Sequence, residues 1–122
     1  MLNKIVTIGR LTRDPEIRYT QSGKAVCTFS IAVDDGYGEN KKAYFFPVVV
    51  WGKAAEACGN SLRKGSKVAV TGKLTSRQYD NSEGKKVTVF EIVADAFGGV
   101  EFLDKKQGGS QSNEIEDEII PF

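Results

Sequence analysis

The sequence predicts an all-β domain rolled into a small closed or nearly closed barrel, with one short helix between the third and fourth strands. Three observations carry that prediction. Residues 25–34 (AVCTFSIAVD) alternate apolar and small or polar side chains, the mark of a strand with one core face. Residues 43–53 (AYFFPVVVWGK) are dominated by β-branched and aromatic residues. Residues 66–97 read as two strands around a glycine-containing turn, a long hairpin. At 122 residues the chain is one domain, large enough to bury a core without disulfides.

The elements follow in order. NKIVTIGRL is rich in β-branched residues and fits an opening strand, and RDPEIRYTQSGK carries Pro15 and a Ser22-Gly23 turn signal. In the second strand Cys27, Phe29, Ile31 and Val33 share one side, and Val26, Thr28, Ser30 and Ala32 the other. DDGYGENKK is a loop. In the third strand Tyr44, Phe46, Val48 and Val50 share one face, while Phe45, Pro47, Val49 and Trp51 share the other. Both faces are apolar, and only one can fill a small barrel. Pro47 cannot donate to a ladder, which points to an edge or a bulge. KAAEACGNSLRKG is the one helical stretch, with Ala54, Ala55, Ala57 and Leu62 as its apolar stripe and Gly59 weakening it. In KVAVTGKLTSRQY, Val68, Val70 and Leu74 take the core side, and Lys67, Lys73, Thr75, Arg77 and Tyr79 the opposite one. GGVEFLD is a short closing strand. The composition then changes to a Gly/Ser/Gln linker, giving a domain at 1–104, a flexible linker at 105–112 and an acidic tip at 113–122.

Composition excludes several classes of function. There is no histidine, and the two cysteines lie far apart, so a Cys/His zinc cluster, histidine acid–base catalysis and a disulfide scaffold are out. Cys27, inside a strand pattern, reads as a buried small hydrophobe. The opening MLNKIVTIGR is charged and alternating, unlike a signal peptide, and no stretch approaches a membrane span. The expected compartment is a reducing cytosol. All 17 Lys and Arg lie in residues 1–106 with 12 of the 16 acids, so the body carries about +5 and the tail −4. A basic body points to a polyanion ligand.

The chemistry sits in two stripes. Lys73, Arg77 and Tyr79 alternate on one strand face, and Phe45 and Trp51 share another, with Lys85 and Lys86 in the following hairpin. Unpaired bases stack on aromatic rings whatever the base, and lysine or arginine meets phosphate and releases counterions. Duplex bases are already stacked, so rings in a groove favour single strands. Each stripe also has a plainer reading: Phe45 and Trp51 as core or subunit interface, and the cationic stripe as a solvated face. Asp34 and Asp35 could hold a metal, but two adjacent acids in a glycine-rich loop are ordinarily a turn, and no phosphate loop or convergent acid cluster accompanies them. The chain therefore reads as a binding protein, not an enzyme, with no cofactor and no metal.

Four segments, in order, resemble the bacterial and bacteriophage single-stranded DNA-binding protein family: the opening with its DPE-x-RY element, FFPVVVWGKAAE, LRKGSKVAVTGKLTSRQYDNSEGKK, and the tip DEIIPF. The resemblance covers about residues 2–103 plus the tip. It implies a five-stranded oligonucleotide-binding barrel, usually a homotetramer, that wraps single-stranded DNA without sequence preference in replication, repair and recombination, associated with the nucleoid. It places base stacking on Tyr37, Phe45, Trp51 and Tyr79. It places phosphate contacts on Arg18, Lys42, Lys53, Lys64, Lys73, Arg77, Lys85 and Lys86. It gives the tip a recruiting role toward replication and repair proteins, with Ile119, Ile120, Pro121 and Phe122 as anchors and Asp117 and Glu118 steering. The competing assignment is another module of the same fold, such as a primosome component or an RNA binder, which generally lacks such a tip.

Overall fold

The computed structural model describes residues 1–104; the linker and tip expected at 105–122 lie outside the described residues. Seven strands and one α-helix follow in order: β1 (Ile5–Leu11), β2 (Glu16–Tyr19), β3 (Ala25–Asp35), β4 (Lys42–Trp51), α1 (Lys53–Ser61), β5 (Lys67–Asp80), β6 (Lys86–Ala94) and β7 (Val100–Phe102). Neighbouring strands run β1-β3-β4-β6-β5, and β5 pairs back with β1, so five strands close a ring. The expected barrel is therefore present, with α1 between the third and fourth ring strands. β2 and β7 add to the outside of it, on β3 and β5.

The joints of the ring are unequal. β3 and β4 are registered from Val26↔Trp51 to Asp35↔Lys42, and β5 and β6 from Gly72↔Ala94 to Asp80↔Lys86. β4 and β6 meet in parallel through Val48↔Ile92 and Val49↔Val93 alone. β5 carries the closure, because Gly72 faces Ile5 of β1 and Ala94 of β6 at once. A Cβ added there would stand 2.1 Å from the Val93 carbonyl oxygen, so only glycine lets the two ladders meet. Beyond Leu74, opposite Ile92, the hairpin leaves the barrel.

The core collects alternate residues of the ring strands: Cys27, Phe29, Ile31, Val48, Val50, Val68, Val70 and Ile92, with Leu11. The helix closes it with Ala55, Cys58 and Leu62. Ala55 and Leu62 hold the positions expected of them. Ala57 is exposed and Cys58 takes its place inside, the helix having turned so that Gly59 lies against Ile17 of β2. Leu74, expected on the core side, is 41% exposed. Its parity is right, and it stands opposite buried Ile92, but it lies at the rim of the barrel, where the core covers only part of the side chain. β2 falls where a turn was expected. It is four residues long and exposed throughout, so no hydrophobic alternation announces it. Pro47 sits in β4 opposite Ser30, just before the β6 register begins, where the strand has one flank open.

Candidate nucleic-acid interface

Directly opposed residues of an antiparallel pair point to the same face of a sheet. Arg18, Val26 and Trp51 therefore form one row across β2, β3 and β4. The following rows on the same outer face hold Glu16, Thr28 and Val49, then Ser30 and Pro47, then Ala32 and Phe45. Phe45 is 63% exposed and Trp51 41% exposed, which removes both rings from the core of the chain. They stand six residues apart on one strand, about 20 Å at the usual rise.

Between them lies an open groove of about 520 Å³. Its floor is Val26, Thr28, Ser30, Pro47 and Val49; one wall is Arg13, Asp14, Glu16 and Arg18, and the other Arg77 and Glu91. β5 thus turns its Lys73–Thr75–Arg77–Tyr79 face to the same surface, and Tyr79 is exposed. Two of the cations are already paired. Arg18 donates through Nε and Nη2 to Glu16 Oε1, at 2.9 and 2.5 Å. Arg77 Nε donates to Glu91 Oε1 at 2.8 Å, and its guanidinium lies 5.9 Å from the Tyr79 ring centroid. The centre of the groove is consequently close to neutral, and the uncompensated charge lies toward its ends.

The remaining expected residues divide. Lys53 opens α1 two positions after Trp51. The Lys64 backbone amide donates to Asp14 Oδ1 at 2.8 Å, which ties its loop to the groove wall. Tyr37 is 92% exposed in the β3–β4 connection, beyond the end of the floor. Lys85 lies in the β5–β6 turn. Lys42 and Lys86, by strand parity, lie on the opposite face of their hairpins from Phe45 and Tyr79. Asp34 accepts an ion pair from Lys41 at 3.3 Å across the mouth of the β3–β4 loop, the ordinary role of such an acid.

Sequence reading missed Arg13 and Glu16, because β2 and the segment before it show no periodicity, and Glu91, because nothing marks it until the β5–β6 register sets it beside Arg77. It also missed Lys24, whose Nζ stands 5.4 Å from the Trp51 ring centroid. A lysine beside a turn glycine carries no signal until the cross-strand register puts it next to a ring. A second cleft, about 410 Å³ between β1, β3 and β5, is lined by Ile8, Gly9, Arg10, Ala32, Asp34 and Lys67. It has no aromatic ring and offers a base nothing to stack on.

Residues 2–103 match the model of the Single-strand binding protein family. The chain is 47% identical over 125 residues to "Single-stranded DNA-binding protein 3" of Listeria innocua, covering 97% of this chain and 76% of that protein. It is 45% identical over 122 residues to a single-stranded DNA-binding protein of Caldanaerobacter subterraneus, covering 97% and 79%. Among solved structures, a Plasmodium falciparum SSB in complex with ssDNA superposes with a TM-score of 0.76 at 29% identity, over 85% of this chain and 96% of that one.

Proposed function

The chain belongs to the single-strand binding protein family, and on that footing we propose that it binds single-stranded DNA without sequence preference. The observation that carries this reading is the exposure of Phe45 and Trp51 on the outer face of β4, at either end of an arginine-walled groove. Tyr37, Phe45, Trp51 and Tyr79 stack bases, each worth about 1–3 kcal/mol. Arg18, Lys53, Lys64, Lys73, Arg77 and Lys85 meet phosphates, with Lys42 and Lys86 serving the strand where it leaves the front face. No covalent step is involved, so the chain is a binding protein and not an enzyme.

The role extends to protecting single strands in replication, repair and recombination in the cytoplasm, alongside the nucleoid. Among the described residues no helix is long and apolar enough to cross a membrane. The chain assembles as a homotetramer, and self-association, though not the number of copies, is supported by β1. Its residues 5–8 pair only with β5, its other edge has no registered strand among the described residues, and Val6 and Ile8 are 67% and 51% exposed. An open edge bearing apolar side chains is a surface that a second copy covers. The segment 113–122 recruits partner enzymes, with Asp117 and Glu118 steering and Ile119, Ile120, Pro121 and Phe122 anchoring.

The test is titration of Trp51 fluorescence with oligo(dT) against a duplex control, since Trp51 is the sole tryptophan. The single strand quenches it strongly and the duplex does not; absence of single-strand binding would overturn the reading. Deleting Pro121 and Phe122 leaves that titration unchanged and abolishes capture of replication and repair enzymes from extract. Capture that survives the deletion would refute the role of the tip.

A further inference from the structure

Two cation–ring pairs stand on the outer face, and they are built differently. The guanidinium of Arg77 near Tyr79 is anchored by Glu91, whose side chain is only 14% exposed. Lys24, near Trp51, takes part in no ion pair among the described residues. Its backbone is nevertheless fixed. Thr20 N donates to Lys24 O at 2.9 Å, Lys24 N donates to Thr20 Oγ1 at 3.1 Å, and Gly23 makes the turn at φ +87°. A pinned main chain therefore holds a flexible stem whose ammonium rests over the ring. Arg18 lies in the same cross-strand row as Trp51, but Glu16 already neutralises it.

We propose that Lys24 and Trp51 form one composite subsite, the ring taking a base and the Lys24 ammonium taking a phosphate of the same strand. This rests on the single-strand reading above. The π-face of an indole attracts a cation when nothing else covers it. A base and an ammonium cannot occupy one face of the ring together. An arriving base displaces the ammonium, and the same base brings a phosphate within reach of the displaced charge. The exchange swaps one attraction of Lys24 for a stronger one and leaves no charge stranded. Arg77, held by Glu91, has no such freedom. Lys24 is thereby a DNA-binding residue of this chain, and its phosphate contact releases a counterion with no carboxylate competing for the ammonium.

The test uses the full chain, its Lys24→Gln and Lys24→Arg variants, and an oligo(dT) of about ten nucleotides, within the span of one such fold. Affinity is measured across a salt series. Loss of one phosphate contact makes the slope of log K against log salt shallower by about 0.7. Raising salt fourfold then weakens Lys24→Gln about 2.6-fold less than the parent. Lys24→Arg keeps the parental slope, and Trp51 is still quenched in Lys24→Gln at saturation, because the ring is intact. A parental slope in Lys24→Gln overturns the proposal while leaving single-strand binding in place. Failure of the parent itself to bind would overturn both.

Discussion

Cys27 and Cys58 are 0% and 1% exposed, one on β3 and one on the inner side of α1. Burial pushes the Cys27 thiol up to about 11 and the Cys58 thiol to about 12, the latter raised further by the neighbouring Cys27. The fold thus holds both as neutral thiols. In the unfolded chain they ionise near 9.0. Between pH 9 and about 11–12 the unfolded state gives up protons that the folded state keeps, so stability falls as pH rises through that window and is unaffected by these groups below it. Urea midpoints measured from pH 7 to 11 show that decline, and a Cys27→Val/Cys58→Ala variant shows less of it. In the folded protein at pH 8 neither thiol reacts with a disulfide reagent until the chain unfolds. Prompt reaction would mean that the helix does not seal the core as described. At this scale the sequence was informative about Cys27, because alternation in β3 gives its side. It was silent on Cys58, because a helix with four small residues and a glycine does not say which way it turns.

Strand alternation was legible in β3 and β4 and in the first half of β5, and it paired the rings on β4 and the cations on β5 correctly. It could not say which face of β4 was inside, since both are apolar, nor that the core thins past Gly72 and leaves Leu74 half-exposed at the rim. Those facts belong to closure of the ring, which depends on contacts between distant segments. Gly72 is where that closure is most sensitive. An alanine there brings its Cβ against the Val93 carbonyl, and the two ladders must separate to admit it. The Gly72→Ala variant is destabilised by about 1–3 kcal/mol, the usual cost of overpacking, read as a lower denaturant midpoint. Alanine at Gly84, in the β5–β6 turn, meets nothing within 4 Å and is disturbed only by its φ of +79°. A variant at Gly72 as stable as the parent would show that the ring does not depend on this crossing.

Across the whole molecule, charge and apolar surface are distributed in complementary ways. The cations lie on the body, the groove centre is balanced by Glu16 and Glu91, and the most acidic stretch is the last ten residues. This division was visible in composition alone. The balance within the groove was not, because it depends on which carboxylate reaches which guanidinium. The open edge of β1 was equally hidden: the strand was expected, but that residues 5–8 have one registered neighbour among the described residues is a property of the completed ring.

That edge has a consequence for how the protein behaves on dilution. If residues 5–8 of β1 are finished by another copy, the native state binds itself, and mass action makes its stability a function of how much protein is present. A tenfold increase in concentration then raises the melting temperature, and a charge placed at Ile8 cancels the increase without emptying the core, since Ile8 is half exposed in the single chain. A melting temperature indifferent to concentration would mean that the edge stays open and each barrel stands alone. With assembly through β1, scarcity is itself a denaturant: a cell with too few copies has a looser protein as well as fewer of them.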